Sequence, residues 1–481
     1  MDEAKILIFK NKIIRGTVAL TARTFLLQGI SFLATFILTI LLSPSVFGVF
    51  FIVSAFISFL SYFSDIGLAA ALVQKKDEPK RLELVSVFTL QQAIVILLVS
   101  IAFLFIPQVS DFYALSTEGI FLLKALLVSF FLASLKTIPS IILERRLEFS
   151  SLVIPQILEN ITFYTVAIIA ALLNYQVASF AWAALARGVV GLVSIYIISP
   201  WIPGIGFSLA SVKKLISFGV PFQVNSLLAL VKDDLLTLYL GKFLPFQNLG
   251  YLGWAKKWAE VPLRLIMDSI IRVTFPAFSR IQNEREYMSK AINKTIFFLA
   301  LFVFPVSALL IIYIKPLIFL IPKYIKWQPA LTAFYLFAVS SVFSAFASPM
   351  VNALNALGKI QKSLFLMVFW TVLTWILVPV LTALIGFNGW PLASVFISLF
   401  IFLPVLILKR YVTFSFIENI SKPLILTVLM SIFSIITLQF TSSIASLFIL
   451  AAFSSLIYAI LVWICLRNEI KPLVSQLINR K

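Results

Sequence analysis

Six charged side chains interrupt an otherwise apolar stretch between residues 247 and 276: Lys256, Lys257, Glu260, Arg264, Asp268 and Arg272. Five of them, Lys256, Glu260, Arg264, Asp268 and Arg272, recur every four residues. On a helix that spacing sets them along one slowly winding face, and the alternating signs let each pair with the next turn. Guanidinium forks in such a row can hold an anion through bidentate, charge-assisted hydrogen bonds, and the carboxylates can orient them or bind a cation. A charge at the centre of a spanning helix costs roughly 2.5–3.5 kcal/mol, so six placed centrally would cost on the order of 15–20 kcal/mol. This face therefore lines a water-filled cavity or packs on polar partners. A helix lying flat on the outer surface could also carry such a stripe. That arrangement would place every later basic loop outside, against the charge bias described below.

Further ionisable residues fall inside apolar runs: Arg23, Asp65, Lys124, Lys136, Glu159, Arg187, Lys232, Asp233 and Asp234. Arg23 and Asp65 lie deep, as a functional pair or as an ion pair between the first two segments. Lys124 and Lys136 lie near helix ends and are expected to snorkel. Lys232 beside Asp233 and Asp234 reads as a local ion pair or as part of the cavity. The chain has no histidine, which removes imidazole acid/base catalysis, histidine metal sites and histidine proton relays. Its one cysteine, Cys465, permits no intrachain disulfide or thiolate cluster and is expected as a small buried hydrophobe.

The elements that position these groups follow from composition. Of 481 residues, 61% are hydrophobic and 12% charged, Phe occurs 48 times, and the mean hydropathy is +1.08. No water-soluble surface can be built from that supply. The chain reads as an all-α integral membrane protein whose apolar runs are each long enough to span a bilayer. The segments are 17–42, 46–73, 83–107, 119–142, 150–173, 178–199, 214–241, 247–276, 290–314, 327–355, 361–385, 390–409, 422–440 and 444–466. The first is expected to be its own insertion signal rather than a cleaved leader. No stretch between spans would house a soluble catalytic domain, so an enzyme is not expected.

Net charge of +19 would suggest nucleic acid in a soluble protein. Here the basic residues collect in alternate loops instead. Lys10 and Arg15, Lys75 and Arg81, Arg145 and Arg146, Arg280 and Arg285, Lys409 and Arg410, and Arg467 and Lys471 all fall on one side if both termini are cytoplasmic. Lys315, Lys323 and Lys326 are the exception. Trp201, Trp254, Trp258, Trp327 and Trp390 fall near the inferred interfaces, as belt residues do.

An internal repeat is visible at an offset of 202. In LSPSVFGVF (42–50), Leu42, Phe47 and Gly48 align with Leu244, Leu249 and Gly250 of LPFQNLGYL (244–252), and Asp65 falls within one residue of Asp268. Six segments separate the copies, which preserves orientation and would relate two halves about an axis along the membrane normal.

The stretches LSPSVFGVFFIVSAF (42–56), FSDIGLAAALVQKKD (63–77), LERRLEFSSL (143–152), KLISFGVPFQVNSLL (214–228), LGYLGWAKK (249–257) and FPAFSRIQNE (275–284) carry a family resemblance. The chain resembles the Wzx-like oligosaccharide and polysaccharide flippases of the multidrug/oligosaccharidyl-lipid/polysaccharide exporter superfamily. The resemblance implies a six-helix lobe at 1–200, a second at 201–410, and two further helices with a cytoplasmic tail at 411–481. It implies a central cavity, alternating access in the cytoplasmic membrane, and a polyprenyl-pyrophosphate-linked oligosaccharide as cargo for surface polysaccharide. Other polysaccharide assembly proteins would be its protein partners. No cofactor is implied beyond a coupling ion, Na+ or H+. Arg23, Arg264, Arg272 and Lys256 would bind substrate; Asp65, Asp268, Glu260, Asp233 and Asp234 would couple or orient. A drug/cation antiporter of the same fold, or a membrane polysaccharide polymerase or ligase, are the alternatives.

Thiol labelling of single cysteines tests the topology. Positions Phe112, Tyr175 and Phe387 should react from outside, and Glu78, Arg285 and Ser475 only after permeabilisation. An outward C-terminus would sink the assignment.

Overall fold

Lipid offers backbone N–H and C=O groups no partner, so a spanning chain must close its hydrogen bonds internally. The computed structural model describes residues 24, 26–64, 67–75 and 77–478, and every regular element among them is helical. The first helices are α1 Leu26–Leu41, α2 Pro44–Tyr62, α3 Leu68–Gln74, α4 Arg81–Leu104, α5 Ile106–Tyr113, α6 Thr117–Ser134, α7 Thr137–Arg145, α8 Phe149–Leu172 and α9 Ala178–Ile198. They continue as α10 Leu209–Phe243, α11 Phe246–Ala259, α12 Val261–Arg280, α13 Arg285–Leu320, α14 Leu331–Ala356 and α15 Ile360–Ile385. The last are α16 Gly389–Leu399, α17 Phe402–Lys409, α18 Phe416–Thr437 and α19 Ile444–Ile478. Among the described residues ten helical stretches are long and apolar enough to cross a membrane. One, Ile360–Lys409, contains two of the expected segments. The other expected segments coincide with α1, α10 and the α11–α12 pair.

Several expected single spans are broken helices. Segment two divides into α2 and α3 at Gly67, whose φ of 75° is left-handed. Segment four divides into α6 and α7 just before Pro139, and segment eight into α11 and α12 just before Pro262. Proline lacks the N–H that would continue the ladder, so each break sits where the new helix begins. The break after α3 is closed from a distance. Arg145, at the end of α7, donates to the carbonyls of Leu72, Val73, Lys75 and Asp77 at 2.5–3.2 Å. One guanidinium thereby satisfies the orphan acceptors at the end of a short helix.

The described chain forms two compact units, Met1–Gly250 and Tyr251–Lys481. In the first, α8, α9 and α6 pack together, and α2 packs on α10 and α6. Gly188 admits Ser129, whose hydroxyl donates to the Ala184 carbonyl at 3.0 Å. In the second, α13 is central, against α12, α14, α18 and α19. Buried hydroxyls fasten the last two helices: Ser434 to Ser454 at 2.8 Å, Ser454 to Tyr313 at 3.2 Å, and Tyr458 to the Leu301 carbonyl at 2.9 Å.

Two sequence expectations are corrected. Cys465 is exposed on α19 beside exposed Trp463 and Ile464, so its thiol faces outward with the apolar side chains rather than inward. Three of the five tryptophans expected at the interfaces, Trp254, Trp258 and Trp327, are buried inside the protein. Trp327 is 0% exposed and stacks on Trp254 at 5.5 Å, and Trp254 donates to the Tyr324 hydroxyl at 3.0 Å. Trp258 is buried, and Trp201 packs edge-on to Phe88 at 5.0 Å. Indole rings this large stabilise a core whenever their N–H finds a partner there.

The repeat has a physical counterpart inside the first unit. Helices α2 and α11 begin at Pro44 and Phe246, positions related by the same offset of 202. A methyl group on Gly48 would overlap the Phe246 carbonyl, and one on Gly250 would overlap the Pro44 carbonyl. The two turns cross reciprocally, each glycine accepting the other's first helical residue, as small residues allow between spanning helices. Gly48→Ala and Gly250→Ala should each cost about 1–3 kcal/mol through overpacking. The double variant should cost less than their sum, because both sit in one crossing. Gly29→Ala is the control, with nothing near its added carbon. Melting curves of the purified protein would show this; Gly48→Ala melting like Gly29→Ala would refute a tight crossing.

Candidate functional site in the charged helix clusters

The α11–α12 stripe is an ion-pair ladder. Lys256 Nζ lies 4.0 Å from Glu260 Oε1, and Arg264 donates to Glu260 Oε2 at 2.9 Å. Glu260 is the residue between the two helices, so the Pro262 break sets it between one cation on each. Lys256 also lies over the Trp390 ring at 5.0 Å, a cation–π contact that holds its ammonium in a partly dry setting. The Arg264 side chain is 60% exposed, and its outer donors remain accessible. On the other side of α12, Met267 is buried and Leu263, Ile266 and Ile270 pack on the core with Phe346 and Met350. The polar and apolar faces of this helix are thus separated, as the four-residue spacing requires.

The remaining expected site residues are placed as follows. Arg23 and Asp65 lie outside the described residues. Asp268 and Arg272 sit on the α12 backbone, with side chains outside the description. Asp233 is exposed and Asp234 half-buried on α10; both, like Lys232, are engaged with neighbours.

A second cluster, in the first unit, was not assembled from sequence. Lys136, expected to snorkel, instead donates to Glu159 Oε1 at 2.5 Å. Arg187 Nε stands 3.6 Å from Glu159 Oε2, with its guanidinium 5.9 Å from the Phe163 ring centroid. Gly191 leaves the space the carboxylate fills, since a methyl there would overlap it. Three consecutive segments each contribute one charge. Glu159 is buried and could not remain ionised in an apolar interior without a partner, which is why Lys136 turns inward. The signal in the sequence was the charge sum: a carboxylate deep in segment five needed a cation from four or six.

Beside this trio, α3 and α7 border a cavity of about 850 Å³, with Lys136 among its walls. Burial pushes the Glu144 carboxyl there above the ordinary carboxylate range. Buried amides back the same wall: Gln91 donates to the Thr137 hydroxyl at 3.0 Å, and Ser134 donates to Gln92 Oε1 at 3.0 Å. Among the described residues no cluster of histidine, cysteine or carboxylate side chains could hold a metal ion. The arrangement can bind polar and anionic groups.

Comparison with known proteins bears on this geometry. The chain is 23% identical over 265 residues to the succinoglycan biosynthesis transport protein ExoT of Rhizobium meliloti (strain 1021), a match covering 55% of this chain and 53% of that one. It therefore spans about half the length of that relative. It is 25% identical over 377 residues to the lipopolysaccharide biosynthesis protein WzxC of Escherichia coli (strain K12), covering 76% of this chain and 74% of the relative. The all-helical membrane fold is shared with a solved structure, the lipid II flippase MurJ in an inward closed conformation, at a TM-score of 0.73 and 19% identity, covering 95% of this chain and 100% of that one. Residues 37–330, more than half of the chain, match the family model for polysaccharide biosynthesis protein, and the chain belongs to that family.

Proposed function

We propose that the protein carries a polyprenyl-pyrophosphate-linked oligosaccharide across the cytoplasmic membrane by alternating access, for assembly of a surface polysaccharide. The observation that carries this reading is the Lys256–Glu260–Arg264 ladder across the α11–α12 break, with Leu263, Ile266, Met267 and Ile270 of α12 turned to the apolar core. A pyrophosphate head group cannot enter hydrocarbon unaided. A row of cations with accessible donors, held by carboxylates until cargo arrives, offers it a polar path. Membership of a polysaccharide biosynthesis family, with one relative named as a transport protein, supports the same class of cargo. In this proposal Arg23, Lys256, Arg264 and Arg272 hold the head group. Asp65, Asp233, Asp234, Glu260 and Asp268 orient those cations or carry the coupling ion, Na+ or H+. The lobes are those expected at 1–200 and 201–410, the helices beyond 411 are appended to them, and both termini are cytoplasmic. The activity is transport rather than catalysis.

The stripe should be reached by water. In a background lacking Cys465, a cysteine at Arg264 should react rapidly with small polar thiol reagents, and one at Met267 should react at least tenfold more slowly. Equal rates would remove the polar wall.

Arg264→Ala should abolish polysaccharide export while the protein still inserts at normal levels, and lipid-linked repeat units should accumulate on the cytoplasmic leaflet. Arg264→Lys should recover part of the export, because ammonium keeps the charge and loses the bidentate fork. Full export by the alanine variant would make this arginine structural and the head-group role wrong.

A further inference from the structure

The cavity in the first unit, between α3 and the α6–α7 break, has a volume of about 850 Å³. That is within the span of small-molecule sites, about 300–1,000 Å³. Ala69, Ala70 and Ala133 form small apolar parts of its wall. Gln74, Lys136, Thr137, Ser140 and Glu144 are the polar parts. The side chains of Gln74, Ser140 and Glu144 make no hydrogen bond among the described residues, so their capacity is open to a ligand. Thr137 is held in place by Gln91, which is 3% exposed and keeps its own Oε1 unpaired.

Charge narrows the ligand. Lys136, Glu159 and Arg187 are two cations sharing one carboxylate. An anion that takes Lys136 from Glu159 leaves that carboxylate with Arg187, 3.6 Å away, so no buried charge is stranded by the exchange. The Lys136 side chain is 18% exposed and so can be reached from the cavity it lines.

We propose that this cavity is a binding subsite for an acidic sugar. Its carboxylate sits on Lys136, its ring hydroxyls on Gln74, Ser140 and Glu144, and its C–H face on the alanines. A neutral sugar would leave the exchangeable cation with Glu159 alone. A bare phosphate would leave the amide, hydroxyl and carboxyl groups unused. The Glu144 carboxyl group accepts hydrogen bonds from ring hydroxyls whatever its protonation state. This inference rests on the glycan-transport reading and adds a substrate class to it.

The test is saturation-transfer NMR on the purified full-length protein in nanodiscs, with D-glucuronate, D-glucose and inorganic phosphate as probes. Glucuronate should bind at least tenfold more tightly than either of the others. Ser140→Ala should weaken it about threefold to tenfold, the effect of one lost hydrogen bond. Lys136→Gln should weaken it tenfold or more while Glu159 keeps Arg187. Ala70→Leu, which fills the cavity and touches no charge, should abolish binding with the melting temperature unchanged. No glucuronate binding by the unaltered protein, glucose or phosphate bound as tightly, or full binding by Ala70→Leu would each overturn the proposal. Arg264→Ala should keep glucuronate binding while losing export, so failure of this subsite and failure of the transport reading are read from different experiments.

Discussion

A charge inside a bilayer must be paired or wetted, and the arrangement of this chain follows from that one requirement. A bare ion in hydrocarbon costs more than any single helix contact returns. The sequence nevertheless places ions in segment after segment. Several of them meet partners: Lys136 and Arg187 on Glu159, Lys256 and Arg264 on Glu260, while Lys124 stands exposed on α6. The helix breaks serve the same end. The break before Pro139 brings Lys136 to the start of α7, and the break before Pro262 sets Glu260 between two helices.

Backbone groups obey the same rule. Breaking a helix in an apolar setting frees carbonyls that lipid cannot satisfy. Arg145 answers this for α3 with one guanidinium on four carbonyls. Its position in the stretch LERRLEFSSL gives that motif a structural purpose independent of any ligand. The Gly48–Gly250 crossing is the complementary device, in which missing side chains let two helix starts touch. Polar capping and close packing are thus two answers to one solvent that helps with neither.

Much of this was legible in the sequence. Run length located the helices because lipid thickness fixes their length, and the four-residue spacing from Lys256 to Arg264 foretold the ladder because helix periodicity fixes the face. The offset of 202 picked out both glycine turns, and that they touch each other became visible only in the structure. What the sequence concealed depends on neighbours. Lys136 lies near a helix end, where snorkelling is the ordinary outcome, and only the position of Glu159 across the packing of α7 on α8 turns it inward. Trp254 and Trp327 have the composition of belt residues, and only Tyr324 explains why they are buried. Cys465 is apolar on either reading, and its direction is set by which face of α19 packs on α13.

The two clusters differ in a way that bears on what each can do. In the α11–α12 ladder the carboxylate lies between the cations along the helix axis, and Arg264 keeps most of its donors in the open. A large, multiply charged group can add to such a ladder without breaking it, because a guanidinium has five donors and Glu260 uses only some of them. In the Lys136–Glu159–Arg187 trio the carboxylate is buried and the exposed partner is Arg187, at 47%. There a ligand must compete for Lys136, so it is selected by charge and by fit to the adjoining cavity together. Addition suits a head group common to many cargoes, whereas exchange suits a group that differs between them. On the proposed reading, the sharper choice of sugar would belong to the buried trio and the cavity beside it, and the ladder would supply the general affinity for anions.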